Sequence, residues 1–347
     1  MSTITLRKGL LCCCVLLMLG AAWGDVRLAN LFGDNMVLQR DRPIAIWGWA
    51  EAGEAVTVTL GTTEAKTVAD AKGAWSVQLP ALHEGEGLTL TAAGKNTLTL
   101  KNLIMGDVWI CGGQSNMEYA VGNFSDAKPE IAAADFPKIR HIRTESRGAG
   151  TPIDRLQSGS PEEDLPRHYD WEVCSPQTAG RFTAAGYYFA REIFQQTGIP
   201  IGLICVNWGG TQIEPWTPQI GLNGVPEMGY LRKALEDGMA AYHQQFPVYV
   251  TQMKAWMKAA DQAIAAGQPI PRQPVPPAHP VWAKGDGVRP FSLYNAMIHP
   301  WTRFPIKGAL WYQGEANVGD DDIYYHKMRA LVGGWRAAWG QGEFPFY

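Results

Sequence analysis

Three apolar runs, at residues 108–111, 201–206 and 309–312, each lead directly into a polar glycine turn. Runs without polar alternation are what strands buried on both faces of a parallel sheet require. The turns read Gly112-Gly113-Gln114-Ser115-Asn116-Met117, Asn207-Trp208-Gly209-Gly210-Thr211 and Gln313-Gly314-Glu315-Ala316-Asn317. Helical periods lie between the runs. One spans 184–197, with Ala185, Tyr188, Phe189 and Ile193 on its predicted inner face and Gly198 as its stop. Another spans 323–339, with Asp320, Asp321 and Asp322 at its start and Gly340 after its end. The three aspartates read as helix capping and dipole complementarity rather than a metal site. Strands alternating with helices predict an α/β layered fold. In an open α/β sheet the ligand crevice lies at the carboxyl ends of the strands, so the three turns are expected to converge although about 200 residues separate the first from the last.

Ahead of Gly106 the period is two. Residues 56–60, 75–79, 88–91 and 97–100 alternate apolar with polar and are punctuated by Gly61, Gly73, Gly85, Gly87, Gly94 and Asn96. Short alternating strands at this spacing predict a small antiparallel β-sandwich. The length of 347 residues suits two domains, expected at 25–105 for the sandwich and 106–347 for the α/β unit. An insert is expected at 220–290, helical from Pro226 to Ala266 and then a loop or lid, since 269–280 holds six prolines. At the amino terminus, Arg7 and Lys8 precede an apolar run over 9–19, and Ala22-Trp23-Gly24 offers small residues at a cut. This predicts a signal peptide over 1–24, cleaved after Gly24, and a secreted or periplasmic protein. No other stretch approaches the length of a membrane span.

Charged residues make up 18% of the chain and hydrophobic ones 46%, which excludes a disordered chain. The net charge is −3, or −5 without the leader's Arg7 and Lys8. No basic patch stands out, which argues against a nucleic-acid partner. Cys111 and Cys205 fall in the apolar runs and read as free core thiols; with Cys174 they make an odd number and imply no disulfide framework. The 14 tryptophans read mainly as core, with sugar stacking as the alternative.

The turns suggest acyl transfer. A serine on a sharp turn at a helix start presents its hydroxyl outward beside free backbone N–H groups that can bind an oxyanion. Ser115 occupies such a place, although a serine there can equally cap a helix. Gly209 and Gly210 let another backbone N–H approach closely, and Gln313 or Asn317 can add a side-chain donor. No phosphate-loop pattern, HExxH or paired CxxC spacing occurs, so no metal or organic cofactor is expected.

The stretch 106–118, Gly-Asp-Val-Trp-Ile-Cys-Gly-Gly-Gln-Ser-Asn-Met-Glu, resembles the nucleophile block of the sialate O-acetylesterase family, which are secreted SGNH-type carbohydrate esterases. Residues 208–216 resemble its second block and 311–317 its third, while 36–40, 73–75 and 293–298 fit elsewhere along the chain. The resemblance implies an SGNH-hydrolase-like domain behind a β domain, with Ser115 as nucleophile and donor of its own N–H to the oxyanion hole. The glycine pair and Gln313 or Asn317 would complete the hole, with Gln313 favoured, and Glu315 would orient the loop. The implied substrate is an O-acetylated glycan, most directly acetylated sialic acid. Acetyl-xylan or pectin esters are the alternative.

A serine nucleophile needs a base. The family supplies it from a late Asp-x-x-His block, and no Asp-x-x-His occurs in this sequence, whose end at 344–347 matches the start of a further core strand. The expectation is a carboxyl-truncated family member. Of the seven histidines, His83 falls in the β domain, His141 and His168 in or near connecting segments, His243 in the helical insert, His279 in the proline loop and His326 within a helix. His299 precedes the third run and is the best substitute, but it is placed at the wrong end of that strand. A decayed esterase that binds glycans without turnover is the reading from another class. A serine peptidase is weaker still, because no peptide groove is evident.

Overall fold

The structure, a computed structural model, describes residues 25–156, 171–281 and 289–347. The expected leader at 1–24, His168 and part of the expected insert lie outside the described residues.

The first strands are β1 (Arg27–Leu28), β2 (Val37–Gln39), β3 (Ile44–Trp49), β4 (Ala55–Leu60), β5 (Thr63–Val68), β6 (Ala74–Leu79), β7 (Leu88–Ala93) and β8 (Thr97–Gly113). β1, β3 and β6 form an antiparallel sheet. β5, β4 and β7 form a second that continues into the first part of β8. Ile46, Val58, Trp75 and Leu90 from both sheets share one core. This is the sandwich-like arrangement that period-two alternation predicts.

β8 carries the change of environment within one strand. Its first residues alternate between exposed and half-buried, and every residue from Leu103 to Gly113 is buried. There it joins the larger sheet, built with β9 (Phe136–Arg143), β10 (Glu172–Cys174), β11 (Ile201–Asn207) and β12 (Gly308–Tyr312). β8 runs parallel to β11 on one side and to β12 on the other, β9 runs parallel to β11, and β10 is an antiparallel edge. The last residues of the chain extend the sheet beyond β12, where Trp311 N donates to Tyr347 O over 2.7 Å.

Helices α1 (Ser115–Glu118), α2 (Ala127–Ala133), α3 (Ala184–Thr197), α4 (Gln219–Asn223), α5 (Gly229–Ala265) and α6 (Ile323–Trp339) complete the α/β fold. The apolar runs still alternate, but between two cores. Trp109, Cys111, Leu203 and Leu310 face one core with Tyr187 and Ala190 of α3. Val108, Ile110, Ile204, Val206 and Ala309 face the other with Leu331 and Trp335 of α6. Both faces are covered, so no position in these strands can be polar without a buried partner.

The ends of α3 and α6 fall where Gly198 and Gly340 adopt left-handed φ of 69° and 62°, a conformation that favours glycine at a helix end. The inner face of α3 holds the expected Ala185, Phe189 and Ile193, half-buried against the core, and differs from expectation at Tyr188. Ala184, Tyr187 and Ala190 are buried, whereas Tyr188 points outward under the Arg191 guanidinium at 4.9 Å. The aspartates before α6 also differ: Asp322 stands at the N-cap without a side-chain cap bond, and Asp320 pairs with Lys327 at 2.6 Å. The insert forms α5, followed by an irregular proline segment held against it by Trp256 Nε1 donating to Pro271 O. Trp47, Trp171, Trp216, Trp301 and Trp335 are fully buried, so these tryptophans are core. Cys111, Cys174 and Cys205 are buried free thiols.

Candidate active site

Register brings the three turns together. Gly113 pairs with Asn207 on β11 and with Tyr312 on β12, so the three adjacent parallel strands end at one level and the glycine turns leave side by side. Close approach requires glycine at 113, where φ is 137° and an added Cβ would stand 2.1 Å from Tyr312 O.

Ser115 is the first residue of α1 and is exposed. Gln114 takes the N-cap place, and its carbonyl accepts from Met117 N and Glu118 N. The amides of Ser115 and Asn116 therefore have no acceptor among the described residues. Gln114 rather than Ser115 stands at the N-cap, and the exposed Ser115 hydroxyl has no hydrogen bond among the described residues, so this serine does not cap the helix. α1 is short but well held: Thr183 Oγ1 and Asn207 Nδ2 donate to Met117 O over 2.5 and 3.4 Å, and the Arg143 guanidinium donates to Glu118 O over 3.0 Å.

The glycine pair divides its roles. Gly209 N donates to Glu118 Oε2 over 2.8 Å, so this N–H is already engaged and does not fit the expected oxyanion donor. A Cβ at 209 would lie 2.9 Å from Glu118 Oε2 and 3.5 Å from Ser115 Cβ. Gly209 thus lets the second turn sit against Ser115. Gly210, with φ of 74°, has no N–H acceptor among the described residues, so its N–H is free to donate.

Gln313 and Asn317 come to the site but turn inward. Asn317 is 5% exposed; its Nδ2 donates to Asp320 Oδ2 over 2.7 Å and to Glu214 Oε2 over 3.2 Å. Its Oδ1 accepts from Ile213 N and from Gln313 Nε2. With both hydrogens engaged, Asn317 pins the second turn to the third and is not an oxyanion donor. Gln313 Nε2 meets three acceptors, Asn317 Oδ1, Thr211 O and Gln114 Oε1, while its Oε1 accepts from Tyr324 OH. That correction follows from the amide's own valence, since two hydrogens already face three oxygens. Glu315 Oε1 accepts from Asn116 Nδ2, which ties the third turn to the Ser115 turn.

Four residues that the sequence reading gave no role, Gln114, Glu118, Glu214 and Lys327, complete the site together with Asp320, which it read as helix capping. Gln114 Oε1 receives Gln313 Nε2, Gly314 N and Ala316 N within 3.4 Å, which fixes the residue preceding Ser115. Glu118 holds Gly209. Glu214 and Asp320 flank Lys327, whose ammonium reaches both carboxylates and is 5% exposed. Burial works against that ammonium, but the hydrogen bonds to Asp320 and Glu214 prevail and raise its pKa above the usual lysine range. The available signal was Lys327 itself, a charge on the face of α6 that carries Ala330 and Leu331.

None of the described histidines is hydrogen-bonded to Ser115. His141 lies within β9, not in a connection; it is buried and stacked on Phe182 at 4.5 Å. Burial lowers its pKa to about 3. His299 stands 3.7 Å from Asp154 and 3.5 Å from Tyr294 OH. With His243 and His279 it lines a cavity of 1220 Å³ whose walls do not include Ser115, Gly209, Gly210 or Gln313. His83 pairs with Asp41, and His326 lies beside Glu227. Among the described residues no cluster of three or more metal-ligand side chains occurs, and no helix is long and apolar enough to cross a membrane.

A family model described as carbohydrate esterase, sialic acid-specific acetylesterase matches residues 105–245. The rat sialate O-acetylesterase (Rattus norvegicus) is 30% identical over 92% of this chain and 59% of its own length. The human protein is 28% identical over 92% and 56%. The crystal structure of a carbohydrate acetylesterase from Xanthomonas citri superposes with a TM-score of 0.69 and is 30% identical over 93% of this chain and 59% of that one. The chain thus spans under three fifths of the length of these relatives. The matched stretch holds the Ser115 turn and the glycine pair, and the longer alignments carry through the Gln313 turn, so over these residues the chain is similar to the sialate O-acetylesterase family of carbohydrate esterases.

Proposed function

We propose that this protein hydrolyses O-acetyl esters on carbohydrates through an acetyl-serine at Ser115. The observation that carries the reading is the register of β8, β11 and β12, which sets an exposed serine beside the unengaged amides of Ser115, Asn116 and Gly210. Ser115 Oγ would attack the acetyl carbonyl carbon. The carbonyl oxygen would gather negative charge facing those N–H donors, a type of stabilisation whose loss costs about 2.7–4 kcal/mol per donor. Collapse breaks the bond to the sugar oxygen, which leaves as a hydroxyl after taking a proton. Water then attacks acetyl-Ser115 and releases acetate. Ser115 and the three N–H groups support this reading as nucleophile and donors; among the described residues no histidine is hydrogen-bonded to Ser115 to take its proton.

Acetylated sialic acid is the proposed substrate, supported by the family description and by the names of the rat and human relatives. The Xanthomonas citri neighbour, a carbohydrate acetylesterase, favours other acetylated sugars as the second reading. Secretion by way of the leader is part of the same proposal. Acetate release from O-acetylated N-acetylneuraminic acid and from acetyl-xylan, measured side by side, tests it. A higher kcat/KM on the sialic acid ester is expected. The reverse order moves the substrate to plant-wall esters, and glycan binding without any acetate release overturns the enzymatic reading.

A further inference from the structure

We propose that Lys327 is a positioning residue for the nucleophile turn, its ammonium allowing two carboxylates to share the one amide that locks the three glycine turns together. The inference rests on the catalytic reading of Ser115. Lys327 lies on α6, distant in sequence from Glu214 after the second turn, and it bonds both Glu214 Oε1 and Asp320 Oδ2. Between those carboxylates sits Asn317 Nδ2, donating to each. Asn317 Oδ1 then accepts from Gln313 Nε2 at 2.7 Å, and Gln313 Nε2 reaches Gln114 Oε1 at 3.2 Å. Gln114 directly precedes Ser115 and supplies the carbonyl on which α1 starts. An unbroken line of partly or fully buried polar contacts thus runs from a lysine on α6 to the nucleophile.

The cluster holds two carboxylates and one ammonium, a net charge of −1. The other titratable groups facing it are Tyr230 from α5 and Tyr324 from α6, neither of them a cation. Without the ammonium, Glu214 and Asp320 are like charges around a single amide donor. Such a pair relaxes either by moving apart, which drags Asn317 and Gln313, or by binding a proton. A merely space-filling lysine predicts no dependence on pH, whereas a charge-balancing one does.

The test compares wild type with Lys327→Met, Lys327→Arg and Lys327→Met/Asp320→Asn from about pH 5 to about pH 8, taking each variant's kcat as a ratio to wild type at the same pH, with KM recorded. For Lys327→Met we expect kcat to fall about tenfold or more near pH 8, to return within about threefold near pH 5, and KM to change little. For Lys327→Arg and the double variant the ratio stays flat. A pH-independent ratio in Lys327→Met, or an arginine variant as impaired as the methionine one, overturns the proposal. If Lys327→Met does not fold at the higher pH, folding of the double variant supports the charge account and its failure to fold overturns it. If wild type releases no acetate, the catalytic reading fails separately. Hydrogen exchange then decides the cluster: amides at 112–118 should lose about tenfold in protection in Lys327→Met near pH 8 and not near pH 5, and equal protection at both overturns the inference.

Discussion

Replacing Gly113 by alanine places a methyl group where β8 and β12 are closest. Its φ of 137° belongs to glycine, and the new Cβ would lie 2.1 Å from Tyr312 O and 2.7 Å from its carbonyl carbon. Both opposing atoms are backbone, so no rotamer change can relieve the overlap. The dihedral alone costs about 1–3 kcal/mol, and spreading two packed strands adds about 1–3 kcal/mol. With about 2–4 °C of melting temperature lost per kcal/mol, a drop on the order of 10 °C is expected. Gly267→Ala is the control, because Gly267 has φ of 61° with nothing within 4 Å of its added Cβ and carries the dihedral cost alone. Differential scanning calorimetry on the two variants separates the terms. Equal melting temperatures for Gly113→Ala and Gly267→Ala would refute the claim that strand contact at 113 brings the turns together.

Glu118→Ala leaves Gly209 N–H without its acceptor and should lower stability by about 1–2 kcal/mol while slowing acetate release; unchanged urea midpoint and rate would remove Glu118 from the site. Burial lowers the His141 pKa to about 3, below its unfolded value, so protons bind the unfolded chain first: stability is present above about pH 6.5 and is lost as pH falls, by about 2–3 kcal/mol near pH 4.5. His141→Phe should lose that much less on acidification in urea titrations, and an unaltered acid sensitivity contradicts it. Trp335 is fully buried against Trp311 and donates its indole N–H to Trp216 O over 3.0 Å; Trp335→Ala should cost about 3–5 kcal/mol, and a loss under about 1 kcal/mol shows the cluster to be loosely packed.

The fold was legible where local pattern and burial coincide. The change of period within β8 marks the point where a half-exposed strand becomes a central one, and Gly198 and Gly340 mark helix ends because left-handed φ is needed there. The convergence of the turns was legible because parallel strands in register must end together. What was not legible depends on partners far along the chain. Gln313 and Asn317 are good donors by type, yet Glu214 and Asp320 turn the Asn317 amide inward, and Asn317, Thr211 and Gln114 do the same to that of Gln313. His141 was placed in or near a connecting segment, whereas it lies within β9, whose apolar pattern is interrupted by Pro137 and basic residues. Arg140 is nevertheless buried within β9 because the carbonyls of Asn35 and Asn102 accept from its guanidinium. Asp320 read as a helix cap because its ion-pair partner lies seven residues on, at a position known to be buried once α6 is packed.

The central claim is that Ser115 carries the acetyl group. Wild type and Ser115→Ala, each mixed with O-acetylated N-acetylneuraminic acid and quenched in acid, are digested and the peptide holding residue 115 is weighed, with acetate release followed in parallel. The account predicts an acetylated peptide in wild type, none in Ser115→Ala, and acetate release lower in the variant by about 10³-fold or more. Acetate released by Ser115→Ala at the wild-type rate, or no acetylated peptide and no acetate from wild type, would contradict it.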